Sequence, residues 1–115
     1  MTIIVHRIRL HDGVEPSRFE KWVRDVDYAA CRELPSVLAF GVQRVVDTPA
    51  EPSAGTGASD TNGPDYFEII EVTSLGEFER DMESSRFQQL VVEFDQMAKV
   101  VDEVTGERIG EGYRT

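Results

Sequence analysis

The chain has 115 residues, enough to bury one modest core and too few for two ordinary domains, so residues 1–115 are expected to form a single domain. Twelve Lys plus Arg against 22 Asp plus Glu leave a net charge of −10, which repels phosphate backbones and argues against a nucleic-acid partner. Hydrophobic residues make up 40%, too many for a disordered acidic chain, yet no apolar run approaches the roughly 20 residues that span a membrane. The opening MTIIVHRIRL lacks the long apolar run and small-residue cleavage site of a signal peptide, so a cytoplasmic protein is expected.

Thr2 to Leu10 is rich in β-branched residues and bounded by His11-Asp12-Gly13, which reads as a strand and a turn. Period two places Ile4, His6, Ile8 and Leu10 on one face and Ile3, Val5, Arg7 and Arg9 on the other. From Pro16 the period becomes helical: Phe19, Val23, Val26 and Ala30 form an apolar stripe, Trp22 flanks it, and Pro35 closes the helix near Leu34. Pro16 suits the first helical position, and Ser17 with Glu20 offers a competing capping box.

Val37 to Val46 reads as a second strand, with Leu38, Phe40, Val42 and Val46 on one face and Gly41 allowing close approach from the other. The segment 47–64, DTPAEPSAGTGASDTNGP, has three prolines, three glycines and no large apolar residue, and is expected to be a flexible loop. Tyr66 to Thr73 is the clearest strand, with Tyr66, Glu68, Ile70 and Val72 on one face. Ser74 with Glu77 caps a short helix carrying Leu75, Phe78 and Met82. Ser85 with Gln88 offers a cap for a second helical stretch carrying Phe87, Leu90, Val91, Phe94, Met97 and Ala98. Val100 to Val104 returns to strand character, and 105–115 is a polar tail.

The order β-α-β-β-α-β is that of an α+β, ferredoxin-like sandwich. In that motif the antiparallel strands lie in the order 4-1-3-2 with the helices on one face. The other face is left open and apolar, so a homodimer through the open sheet face is expected.

Three segments carry a resemblance: TIIVHRIRL at the start, FEKWVRDVDYAACRELPSVLAFGVQRV from Phe19 to Val45, and YFEIIEVTSLGEFERDM from Tyr66 to Met82. Through them the chain resembles the dimeric α+β barrel superfamily and, more closely, the RedY-like (HapK-like) proteins associated with prodiginine and bisindole alkaloid biosynthesis. The segment WVRDVDYAAC with LPSV is the most specific part, and the 47–64 loop looks particular to this chain. The resemblance implies a small tailoring enzyme that works without metal or organic cofactor on a small aromatic substrate, a bisindole imine or a pyrrole precursor. Acid–base hydrolysis or cyclisation is one implied chemistry. A cofactor-independent monooxygenase and a non-catalytic protein that shields a labile intermediate are the alternatives.

His6 is the first candidate catalytic residue, an imidazole on an apolar strand face that serves as acid or base near neutrality, or is simply a satisfied core histidine. Glu68 sits across from it if strands one and three are neighbours; otherwise it is solvated, or paired with Arg7 or Arg9. On a straight helix Tyr28 points about 180° away from Phe19 and is a surface residue. Only a bend swings Asp27 and Tyr28 over the sheet, where a phenol and a carboxyl polarise or protonate an electrophile. Cys31 reads as a small buried thiol rather than a nucleophile, since nothing around it in sequence except Arg32 supplies a base or a basic group to depress its pKa. Trp22, Cys31, Phe40, Tyr66 and Phe94 are candidates to wall a substrate cavity. One Cys and two His make neither an internal disulfide nor a closed zinc site, and no nucleotide, metalloprotease or serine-hydrolase motif is present.

Overall fold

The structure, a computed structural model, describes residues 1–46 and 65–113; the loop expected at 47–64 lies outside the described residues. In chain order the elements are β1 (Thr2–Leu10), α1 (Pro16–Trp22), a π-helical turn (Val23–Asp27), α2 (Tyr28–Arg32), β2 (Val37–Arg44), β3 (Asp65–Val72), α3 (Leu75–Asp81), α4 (Ser85–Asp95) and β4 (Ala98–Glu107). The strands form one antiparallel sheet in the order β2-β3-β1-β4, the order the sequence predicts.

Period-two alternation sets the two faces. On β1, Ile4, Ile8 and Leu10 are buried while Ile3, Val5 and Arg9 are half-buried and Arg7 is exposed. The first set meets the helices. Ile8, Leu10 and Tyr66 pack with Phe19 and Val23, and Ile4, Ile70 and Val72 pack with Phe78 and Leu34. Ala30, Cys31 and Leu90 form a third buried cluster that ties α2 to α4. The reverse face carries Ile3, Val5, Phe67 and Ile69 in register across β1 and β3. Gly41 belongs to that reverse face, where a Cβ would meet the Gln43 side chain at 2.8 Å, so its close approach is to Gln43.

Helix starts follow local chemistry with two corrections. Pro16 opens α1, and the Ser17–Glu20 box does not form. Glu20 instead accepts from Arg44 Nε at 2.8 Å, from Arg44 Nη2 at 2.6 Å and from the Tyr66 hydroxyl at 2.6 Å. Ser74 caps α3 as expected, its oxygen accepting from the Glu77 N–H at 3.1 Å. Ser84, not Ser85, caps α4, accepting from the Phe87 N–H at 3.2 Å.

Two bulges shift side chains that strict alternation misplaces. Between Val37 and Ala39 the β2 register slips, which leaves Leu38 exposed while Phe40 and Val42 face the helices. The fourth strand is longer than its hydrophobic residues indicate, because its pairing with β1 continues to Thr2↔Glu107. It therefore takes in the first three residues of the expected polar tail. A second irregularity falls where β4 passes Arg7 and Ile8.

Candidate functional site

A cavity of about 300 Å³ lies between the helix-bearing face of the sheet and the helices. Its wall is aromatic and aliphatic: Trp22, Phe40, Ile70, Phe78, Met82, Phe87, Leu90 and Phe94. His6, Asp27, Cys31 and Glu68 bring polar atoms to it, and Val37 and Val91 with the exposed Asp95, Lys99 and Val100 complete the lining. An apolar enclosure with a few convergent polar groups is the usual form of a small-molecule site.

Cross-strand register builds the polar centre. His6 lies opposite Glu68 on β3 and opposite Glu103 on β4. His6 Nδ1 is 2.6 Å from Glu68 Oε2, and Nε2 is 2.7 Å from Glu103 Oε2. Of Glu68's two sequence readings, the structure thus shows the one facing His6. The two carboxylates differ in exposure, with 13% of the Glu68 side chain accessible against 60% for Glu103. The Glu68 hydrogen bond is the main cause that raises the His6 pKa above its ordinary value; burial opposes it, and Glu103 adds to the rise. A ring with both nitrogens against carboxylates is an imidazolium donating in two directions.

Asp27 reaches the cavity because the first helix is not straight. The Tyr28 N–H bonds back to the Val23 carbonyl, five residues earlier, and the wider turn advances each residue by less than the roughly 100° of an α-helix. Over the turn the lag amounts to about a quarter of a revolution, which carries Asp27 from the flank onto the buried stripe of Phe19 and Val23. Asp27 is 6% exposed, and its carboxyl is pushed up to about 7, by burial first and by the negative charge of Glu68 second. The Cys31 thiol donates to Asp27 Oδ1 at 3.7 Å. Burial, with Asp27 and Glu68 nearby, pushes that thiol far above its ordinary range, so Cys31 is a cavity wall rather than a thiolate.

Trp22, Phe40 and Phe94 line the cavity with Cys31, and Trp22 Nε1 donates to Glu93 Oε1 at 2.8 Å. Two candidates do not reach it. Tyr28 turns toward β2, where its hydroxyl accepts from the Val42 N–H at 3.1 Å and lies 3.4 Å from the Val42 carbonyl; the π turn brings it only to the flank. Tyr66 is 1% exposed, packed on Phe19 and bonded to Glu20, which makes it core. Glu103, Phe78 and Phe87 belong to the site and escaped the sequence reading. The apolar periodicity of the helices carrying the two Phe is the signal that marks them, whereas Glu103 depends on the β4 irregularity. Among the described residues, no group of three or more His, Cys, Asp or Glu is placed to hold a metal ion, and no helix is long and apolar enough to cross a membrane.

The structure resembles solved proteins of the same architecture. It matches HapK from Hahella chejuensis with a TM-score of 0.81 and 41% identity over 100% of this chain and 99% of that one. SnoaB from Streptomyces nogalater, a cofactor-independent oxygenase, matches with a TM-score of 0.67 and 15% identity over 96% and 94% of the two chains. An ethyl tert-butyl ether D family protein from Bacillus halodurans matches with a TM-score of 0.62 and 11% identity over 95% and 100%. At those identities the last two share the fold. No curated protein matches the chain. The family model for the REDY-like protein HapK matches residues 2–109, and the chain belongs to that family.

Proposed function

We propose that this protein is a cofactor-free tailoring enzyme of bacterial secondary metabolism that hydrolyses or cyclises a reactive aromatic alkaloid intermediate of imine or pyrrole type. The observation that carries the reading is the aromatic cavity of about 300 Å³ on which a buried carboxyl, Asp27, and a carboxylate–imidazolium pair, Glu68 and His6, converge. A carboxyl pushed up to about 7 holds and releases a proton at working pH, which suits general acid–base catalysis.

In this reading Asp27 protonates the imine nitrogen and so makes the adjacent carbon electrophilic. Glu68 takes the proton of the attacking water; as the carbon–nitrogen bond of the resulting carbinolamine breaks, Glu68 returns that proton to the departing nitrogen and the hydroxyl proton passes to Asp27, which leaves a carbonyl and an amine. In cyclisation a carbon of the same substrate attacks instead, and its displaced proton goes to Glu68. His6 faces Glu68 and holds it in place. Two carboxyl groups against aromatic walls favour a substrate with a basic nitrogen over one that reacts as an anion, which supports this chemistry over oxygenation of a substrate anion.

The same reading includes a homodimer. The reverse sheet face presents Ile3, Val5, Phe67 and Ile69 away from the helices, an apolar surface suited to a second copy.

The test is turnover of a bisindole imine by purified protein in ¹⁸O-labelled water, with and without oxygen. A carbonyl product carrying ¹⁸O indicates hydrolysis, and an unlabelled isomer of the substrate indicates cyclisation. A product formed only in oxygen would replace the reading with oxygenation. Absence of turnover by the purified protein would leave only a binding role, and identical rates and products for wild type and Asp27→Asn would remove Asp27 from the reaction.

A further inference from the structure

Glu68, His6 and Glu103 form a row across three adjacent strands, with His6 Nδ1 2.6 Å from Glu68 and Nε2 2.7 Å from Glu103. The inner carboxylate lines the cavity and the outer one is 60% exposed. Only a departure from regular pairing lets the row form. Val100 pairs with Ile8 but Asp102 pairs with Arg7, so Val101 is an extra residue on β4. Without it, alternation from Val100 would set Asp102 opposite His6 and send Glu103 to the reverse face. A bulge re-aims a side chain in this way, and bulges are enriched beside active sites.

We propose that the β4 bulge exists to aim Glu103 at His6, and that Glu103 is a positioning residue. It clamps the ring with a proton on each nitrogen, so that the Nδ1–H stays directed at Glu68 on the cavity wall. The clamp deepens the catalytic reading above and rests on it for its purpose, but its geometry is testable without a substrate. The charged groups around the ring are Glu68 from β3, Glu103 from β4 and Asp27 from the π turn, with Asp95 and Lys99 on the same cavity. Glu103 alone among the first three is largely in water, so it can be replaced without opening the core.

The experiment is a pH titration of ¹⁵N-histidine-labelled protein by NMR, with His11→Gln used to assign His6, one of two histidines in the chain. Glu103→Gln is expected to move the His6 midpoint to lower pH, and Glu103→Asp to restore part of the displacement. Asp102→Asn removes the same charge one residue away and keeps an acceptor for the Glu103 N–H, which lies 3.0 Å from Asp102 Oδ1, so it is expected to leave the midpoint in place. An unmoved midpoint in Glu103→Gln, or an equal displacement in Asp102→Asn, overturns the clamp whatever the activity. A displaced midpoint in a protein that turns over no imine supports the clamp and overturns the proposed function instead.

Discussion

The Tyr28 hydroxyl is held on the backbone of Val42, accepting the N–H at 3.1 Å with the carbonyl 3.4 Å away, while its chain neighbour Asp27 points into the cavity. One π turn thus sends two adjacent polar residues to different places, Asp27 to the cavity and Tyr28 to the backbone of β2. Phe40 packs edge-on against Tyr28 at 5.7 Å, so the tyrosine fixes β2 against the first helix.

Tyr28→Phe is accordingly expected to act on stability. It removes a hydrogen bond from a half-buried backbone group, a loss on the order of 1 kcal/mol. Urea denaturation should show that loss, with kcat/KM for the imine close to wild type. A large fall in kcat with unchanged stability would put the phenol back in the reaction.

Asp27→Asn is expected to trade in the opposite direction. The carboxyl stands at about 7 in the fold against 3.8 for an ordinary aspartate, so the folded protein holds a proton that the unfolded chain has released between those limits. Stability contributed by this group therefore falls as pH rises from about 4 to about 7. The amide carries no such burden. The variant should match wild type near pH 4 and exceed it by a few kcal/mol at pH 8, at about 1.4 kcal/mol per pH unit of displacement. Turnover should fall by roughly 10²-fold or more, as for loss of a general acid. Equal stability of the two proteins from pH 4 to pH 8 would show that Asp27 is not strained by burial.

The sequence shows the sheet plainly and the site only in part, for reasons visible in individual residues. Ile4, Ile8 and Leu10 alternate cleanly, so β1 and its buried face follow from period two, and His6 and Glu68 then meet through strand order alone. Asp27 needs the π turn, whose i to i+5 bond leaves no mark in composition. Glu103 needs the bulge at Val101; alternation alone selects Asp102. Tyr66 shows the reverse failure: an aromatic residue on the correct face proves to be core because Glu20, not a ligand, meets its hydroxyl. Periodicity reads regular backbone, and this site is assembled where the backbone departs from regularity.

The reverse face of the sheet offers a separate test. Ile69 pairs with Val5 on β1 and with Gly41 on β2, near the middle of the surface assigned to a second copy. Ile69→Glu places an unpaired charge there, which costs several kcal/mol if a partner covers it and little if water does. Light scattering after gel filtration should report a dimer for wild type and a monomer for the variant. A monomeric wild type would remove the dimer from the reading.

Charge selection in the cavity gives the sharpest prediction. Tryptamine and indole-3-acetate share an aromatic ring and carry opposite charges near pH 7, so they probe Asp27 and Glu68 without any reaction. Trp22, Phe40 and Phe94 supply apolar contact to either ring, and the carboxyl groups discriminate. Calorimetry at pH 8 should find tryptamine bound more tightly. Between pH 6 and pH 8 Asp27, at about 7, passes from mostly neutral to mostly ionised. If the ionised form is the one that holds the ammonium, tryptamine affinity rises by up to about tenfold over that range. The dependence should vanish in Asp27→Asn while binding at pH 6 changes little, because Asp27 is then already mostly neutral. Tighter binding of indole-3-acetate, or a pH dependence that survives in Asp27→Asn, would mean that another group on the cavity wall, Lys99 or His6, governs recognition.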